Sequence, residues 1–490
     1  MIVCRTKDSI RKVVLVAEMR SQSRTVSEAA SEQGVITAAA PLAADIGLTV
    51  LRAGGNVYDA VLAAAFAETV LLPPKCGLAG DLVALVVDSS EQAAEALVAI
   101  GPASRHLGRR VMDRGRLDPQ GGISVGVPGA PAGYAALAAR ANLPITALVE
   151  PARELATRGF EWSPVAHRLT AEAVDLLADM NGAHCVYLPE GKPAASGEVV
   201  CLPGLAHTLE VYADNPGGFL EGPVGAAIVE RVQGSGGVID DADIASAVAE
   251  WCAPSTATID GTRLWATPPP TYGRHLLRAV AEMRSANSRS AKREALERVI
   301  LHRQHSLSDH PNSGTSVVAA SYQGKLVVLV HSNSFQNYGS GIVVPGFDLV
   351  LSNRAGRGFS ADPTHPNFPA AGKRPATTLH AWACALPTGE IFAGATPGGE
   401  NQIRWNGQLL DELLSGCTAP RALVSNPRWG LHQGHYFDEA DGAARSALTV
   451  RSGQQVVMVD AARSRHAAAA DPRTGCSAVP VSIAGIGPKS

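Results

Sequence analysis

The sequence predicts an α+β fold with a large layered core, and three observations carry that expectation. Residues 316–321 and 325–330 are apolar runs on either side of Tyr322-Gln323-Gly324, the pattern of a β-hairpin in a core. Pro41 to Gly54 instead repeats its apolar residues at helical spacing, and Val57 to Leu72, apolar nearly all round, reads as a second helix. At 490 residues, 46% hydrophobic and 18% charged, the chain is too long for one small core and too apolar to be disordered. It suits two or three domains or one large layered unit.

Taken in order, residues 1–34 read as a polar lead-in. The helix from Pro41 places Leu42, Ile46 and Val50 on one face and stops at Gly54-Gly55. Val57 to Leu72 is apolar nearly all round, with Asp59 and Glu68 as its acidic residues. It falls short of the roughly 20 residues a bilayer needs, so it reads as a buried core helix. Leu82 to Val87 and Ala96 to Ile100 read as strands, and residues 153–265 as mostly helical. Residues 285–313, rich in Arg, Ser and His, read as a polar surface linker. Beyond the hairpin come strands at 377–386 and 390–394, a helix near 401–415 and a strand pair near 447–459.

Composition also narrows the function. A net charge of −3 predicts neither a nucleic-acid nor a membrane-surface partner. The eight cysteines are scattered, with no Cys-x-x-Cys, which fits free thiols in a reducing compartment. The apolar run Val13 to Ala17 is too short for a signal peptide, so a cytoplasmic location is expected. No metal or cofactor is expected. His302 and His305, with His310 nearby, have no carboxylate at ligand spacing, and Gly234-Ser235-Gly236-Gly237 lacks the ending of a phosphate loop.

The chemistry centres on Gly314-Thr315, which opens the first strand of the hairpin. Threonine is a weak nucleophile unless a base lies beside it. At a new N-terminus it carries that base itself, an α-amine with a pKa of about 7.7–8.0. Cutting before Thr315 would create that arrangement, and Gly314 leaves its own carbonyl uncrowded. A Gly-Thr step by itself is most often an ordinary strand start, so the surrounding motifs decide.

Those motifs are Tyr338-Gly339-Ser340-Gly341, Leu351-Ser352-Asn353-Arg354, His365-Pro366-Asn367, Gly372-Lys373-Arg374-Pro375 and Thr396-Pro397-Gly398-Gly399. Their order and spacing after Thr315 resemble the small subunit of the γ-glutamyltransferase family of self-cleaving N-terminal-nucleophile (Ntn) hydrolases. Ala39 to Ala60, Val125-Gly126-Val127-Pro128-Gly129, Phe219 to Gly222 and Gly236 to Ile239 resemble landmarks of its large subunit. The resemblance implies a four-layer αββα sandwich. It also implies a precursor cut at Gly314–Thr315 into chains 1–314 and 315–490, which stay together as a heterodimer acting on a small molecule. By the same resemblance, Thr315 is the nucleophile and the N–H groups of Gly398 and Gly399 hold the oxyanion. Ser332 and Asn333 would lie near the nucleophile. Thr377-Thr378 would stand where the family carries two adjacent serines that bind a substrate carboxylate.

Two departures bear on the substrate. Where the family has an arginine for the substrate α-carboxylate, this chain has Pro102, with Arg105 three residues on. Where it has an aspartate for the α-ammonium, before Phe359, this chain has Gly358. Arg354 and Arg357 in that loop would instead suit an anionic fragment without an ammonium. This resembles a divergent branch of the family, the C–C-bond hydrolases of lincomycin and pyrrolobenzodiazepine biosynthesis. A C–C or amide bond next to a carbonyl, in a small amino-acid-derived intermediate, is then the expected target. The alternatives are a true γ-glutamyltransferase or glutathione hydrolase, and an unprocessed scaffold that only binds.

Overall fold

The structure is a computed structural model, described here over residues 28–182, 185–301, 313–432, 435–438, 454–463 and 465–470. Two antiparallel sheets face each other. The first joins β2 (Gly34–Ala38), β3 (Asp81–Asp88), β4 (Ala93–Ala99), β5 (Glu250–Cys252), β8 (Ser313–Tyr322) and β9 (Lys325–Phe335), in the spatial order β2-β8-β9-β3-β4-β5. The second joins β1 (Glu28–Ser31), β6 (Ser255–Ile259), β7 (Thr262–Ala266), β10 (Trp382–Ala385), β11 (Glu390–Ala395), β12 (Gln455–Asp460) and β13 (Arg465–Ala470), in the order β1-β13-β12-β11-β10-β7-β6.

Strand alternation builds the layers. Val83, Val317, Ala319, Val328 and Val330 of the first sheet pack against Trp265, Ala383, Ile391 and Val457 from the second. The alternate residues, among them Leu82, Ala84, Val318, Ala320, Val327 and Leu329, face outward. They meet helices that include α1 (Pro41–Arg52), α2 (Val57–Leu71), α3 (Ala130–Ala138) and α4 (Ile145–Arg158). On the far side, Leu264, Trp382, Phe392 and Met458 meet α5 (Gly273–Arg284), α6 (Arg289–Leu301), α8 (Asn401–Leu414) and α9 (Pro420–Ser425). Helix, sheet, sheet, helix is the expected sandwich. All of α2 is buried, as its all-round apolar pattern requires. Asn56 and Asp59 close its N-terminus with a reciprocal capping box. Among the described residues no helix is long and apolar enough to cross a membrane.

Four expectations need correction. Residues 250–266 form strands β5, β6 and β7 in place of helix, with β6 and β7 turning at Asp260-Gly261. The expected linker contains α6, whose Ala295, Leu296, Val299 and Ile300 are buried against the second sheet's helical layer. Residues 377–381 are not strand: Thr377 makes a single bridge to Thr271, and β10 begins at Trp382. The last strand pair is β12 with β13, later than expected, and residues 447–453 lie outside the described residues. So do His302, His305 and His310. None of the six cysteines among the described residues forms a disulfide.

Candidate active site

The first sheet places three polar side chains in a row on its inner face. Thr315 lies opposite Ser332 across the β8–β9 pair, and Ser332 lies opposite Asp81 across β9–β3. Directly opposed residues in antiparallel strands point to the same side. Thr315 Oγ1 and Ser332 Oγ are 3.2 Å apart, and both residues are buried. Asp81 makes a 2.5 Å ion pair with Arg354 Nε, from the short helix α7 (Arg354–Gly358). It also accepts the Gly101 N–H at 3.2 Å. Burial pushes the Asp81 carboxyl pKa up, and the Arg354 guanidinium opposes that shift.

The ladder breaks where the nucleophile was expected. Gly314 pairs with Ser334 and Thr315 with Ser332, so Asn333 is left over and the register shifts between Gly314 and Thr315. The bulge is held from outside the sheet. The Asn333 N–H donates to the Lys75 carbonyl at 2.8 Å and its Nδ2 to the Pro73 carbonyl at 3.1 Å. Gly339 presses on the same spot: a Cβ there would lie 2.6 Å from the Asn333 oxygen and 2.8 Å from that of Leu351. This explains the glycine of the Gly-Ser-Gly motif, at φ +52°. Ser334, Gln336 and Tyr338 also adopt left-handed backbone, at φ of +81°, +68° and +65°. Backbone strain is thus concentrated beside Gly314 and Thr315.

Behind the row, on the outer face, is a buried network with one visible hint in the sequence, the glutamate inside an apolar helix. Glu68 of α2 accepts the Ser316 hydroxyl at 2.6 Å, a His331 Nε2 contact at 2.8 Å and the Ala39 N–H at 2.5 Å. Tyr134 Oη lies 2.7 Å from His331 Nδ1. A carboxylate at Glu68 can only accept, so Nε2–H donates to it and Nδ1 accepts the Tyr134 hydroxyl, which burial keeps protonated by raising its pKa well above the ordinary value. Ser316 follows Thr315 in the chain, so this network anchors the strand from behind. Glu68, Cys76 and His331 bring an oxygen, a sulfur and a nitrogen within 4.8 Å of one another, but both His331 nitrogens already have protein partners.

The second sheet supplies the remaining expected residues. Gly398 and Gly399 are buried between β11 and α8, with φ of +134° and +54°. A Cβ on Gly398 would overlap the Trp405 ring. Arg404, one turn into α8, makes a bidentate 2.7 Å pair with Glu297 of α6, which fixes the helix that follows the loop. Thr377 Oγ1 accepts the Leu379 N–H, and Gln402 Nε2 reaches Thr378 Oγ1 at 3.5 Å. Leu379 and Ala395 pack in the same inter-sheet cluster as Val317 and Val330, the next inward residues after Thr315 and Ser332. The segment carrying Thr377-Thr378 thus runs into this inter-sheet cluster at Leu379, and the Gly398-Gly399 loop leaves it after Ala395. Buried His380 links them to the core, its Nδ1 2.7 Å from the Thr378 oxygen and its Nε2 2.8 Å from Asn406 Nδ2.

The specificity positions also have clear surroundings. Arg357 is buried in α7, and burial lowers its pKa to about 10. Gly358 is closely packed: a Cβ there would lie 2.5 Å from Pro375 Cβ and 2.9 Å from the Ala376 oxygen. An aspartate at 358 would therefore collide with the segment that carries Thr377. Arg105 does not replace the arginine missing at Pro102. It is half exposed and pairs at 2.6 Å with Asp240, whose pKa is held at about 2.

The family model described as gamma-glutamyltranspeptidase matches residues 43–309 and 288–480. The glutathione hydrolase-like YwrD proenzyme of Bacillus subtilis (strain 168) is 26% identical over 438 residues, 79% of this chain and 83% of its own length. A solved structure, cephalosporin acylase from Bacillus halodurans, superposes with a TM-score of 0.81 at 26% identity, over 94% of this chain and 98% of that one. The LmbA2991HD structure shares the fold, with a TM-score of 0.77 at 21% identity, over 92% of this chain and 98% of its own.

Proposed function

This chain belongs to the gamma-glutamyltranspeptidase family, enzymes of the Ntn hydrolase and acyltransferase class, and on that premise we propose that it is a proenzyme cut between Gly314 and Thr315. The observation that supports this most is the break in strand register at that peptide bond, with Thr315 Oγ1 3.2 Å from Ser332 Oγ. Thr315 Oγ attacks the Gly314 carbonyl carbon, the C–N bond breaks, and its nitrogen takes up the hydroxyl proton to become an amine. Water then hydrolyses the ester. The products, 1–314 and 315–490, stay together because their strands share both sheets: β8 pairs with β2, β9 with β3, and β10 with β7.

In turnover the freed amine accepts the proton of Thr315 Oγ as the oxygen attacks the substrate carbonyl. Ser332 orients that hydroxyl, and Asn333 fixes the bulge beside it. The N–H groups of Gly398 and Gly399 receive the oxyanion. The leaving group departs with a proton, and water or an amine releases the acyl group. The substrate is a small amino-acid-derived intermediate of antibiotic biosynthesis, cut at a C–C or amide bond next to a carbonyl. Its anionic end is met by Arg354, Arg357 and the Thr377-Thr378 hydroxyls. A γ-glutamyl group is disfavoured because position 102 is proline and the backbone at Gly358 has no room for an acid.

The second reading is glutathione hydrolysis, favoured by the likeness to the glutathione hydrolase-like proenzyme of Bacillus subtilis. A panel of one γ-glutamyl anilide and one short N-acyl anilide ending in a free carboxylate separates the two. The proposal expects activity on the second and little on the first; the reverse order would support the glutathione reading. Thr315→Ala should stay uncut and inactive on both, and turnover by that variant would overturn the assigned nucleophile.

A further inference from the structure

Ser334 stands out among the residues the mechanism above does not use. It lies opposite Gly314 in the β8–β9 register, so it faces the residue whose carbonyl must be attacked for the chain to cut itself. It is 3% exposed, and its Oγ has no hydrogen-bond partner among the described residues. Its backbone is held at φ +81°, a conformation that serine adopts only at a cost in stability. A serine that is both strained and unsatisfied needs a reason, and packing gives none, since glycine would relieve both penalties.

The neighbouring hydroxyl does not supply this function. Ser332 Oγ accepts the Ser334 N–H at 2.9 Å, lies 3.2 Å from Thr315 Oγ1 and reaches the Ser334 carbonyl at 3.4 Å, so its hydrogen-bonding capacity is already in use. Ser334 Oγ is the hydroxyl left over next to the bond to be broken.

We propose that the Ser334 hydroxyl is a catalytic donor for self-processing, donating its hydrogen bond to the Gly314 carbonyl oxygen as that oxygen becomes an oxyanion. The inference rests on the self-cutting reading and adds a separate role to it. Turnover takes its oxyanion donors from Gly398 and Gly399, and processing takes one from Ser334. The step balances: the Thr315 Oγ–carbon bond forms, the carbonyl electrons move onto the oxygen that Ser334 holds, and they return as the C–N bond breaks. The hydroxyl proton moves to the departing nitrogen, and Ser334 keeps its own.

The test follows the full chain from synthesis. A cell-free preparation is sampled over time, and fragment 315–490 is quantified by gel and intact mass for wild type, Ser334→Ala, Ser334→Gly and Ser334→Asn. Glycine relieves the φ, so its variant folds without the strain; asparagine tolerates left-handed backbone and keeps a donor. Alanine and glycine should both slow cutting by on the order of 10²–10³, the usual effect of losing one oxyanion donor. Asparagine should restore most of the rate. Cutting of Ser334→Gly at the wild-type rate would overturn the proposal, as would an asparagine variant as slow as glycine. If wild type itself is never cut, the self-processing reading fails, an outcome distinct from loss of the Ser334 role alone.

Discussion

Glu68→Gln removes one oxygen's worth of acceptor from the buried network behind the nucleophile. The amide oxygen can still receive the Ala39 N–H, but an NH2 group now faces the Ser316 hydroxyl and His331 Nε2–H, which sit 2.6 and 2.8 Å from the native oxygen. Hydrogen bonds to a carboxylate contribute about 1.5–3 kcal/mol each, so losing two costs about 3–6 kcal/mol. Unfolding entropy near 2.1 cal/mol/K per residue gives roughly 1 kcal/mol/K for a chain of this length. The expected fall in Tm is therefore about 3–6 °C. Because Ser316 adjoins Thr315, cutting should slow as well. Differential scanning calorimetry on the purified chain, with the cut fraction read on a gel, measures both effects. A Tm within about a degree of wild type, with unchanged cutting, would show that this network anchors nothing.

Three further outcomes are expected. Gly398→Ala drives a methyl into the Trp405 ring at a φ of +134°, so the loop must move; kcat of the mature enzyme should fall by on the order of 10²–10³, and an unchanged kcat would remove this loop from the site. Pro102→Arg combined with Gly358→Asp should give no gain on a γ-glutamyl anilide and should lower Tm, because the new acid collides with Pro375 and Ala376; a clear gain in a folded protein would contradict the packing argument. His466, buried with its Nδ1 2.7 Å from the Ser321 hydroxyl, has its pKa lowered to about 4 by burial. Unfolded, it titrates near 6.5, so between about pH 6.5 and 4 the unfolded chain binds the extra proton and stability falls as pH falls. Its contribution is complete above pH 6.5. His466→Gln should flatten the slope of Tm against pH in that window, and an unchanged slope would show that His466 is not its source.

What the sequence revealed depended on how local the signal was. The β8–β9 hairpin and helix α2 could be read because each carries its own apolar pattern and its own turn or cap. The site motifs were legible as short strings, and the glycines among them have physical reasons: Gly339 abuts Asn333, and Gly398 abuts Trp405. The Glu68–His331–Tyr134 network was hidden because three distant segments meet only in the fold. Helix α6 looks like a linker in the sequence because its many Arg, Lys and Glu side chains mask a buried stripe at Ala295, Leu296, Val299 and Ile300. The β6–β7 hairpin hides at the end of a mostly helical stretch, although Asp260-Gly261 marks its turn and threonines line its strands. The conformation of Ser334 has no sequence signature, since it arises from a bulge fixed by contacts to Lys75 and Pro73.

The most direct measurement is an intact-mass spectrum of a catalytically active preparation, taken alongside its turnover rate. The account predicts two species that divide the sequence between Gly314 and Thr315, with activity proportional to the divided fraction. Substrate turnover by a preparation containing only the undivided 490-residue chain would contradict it.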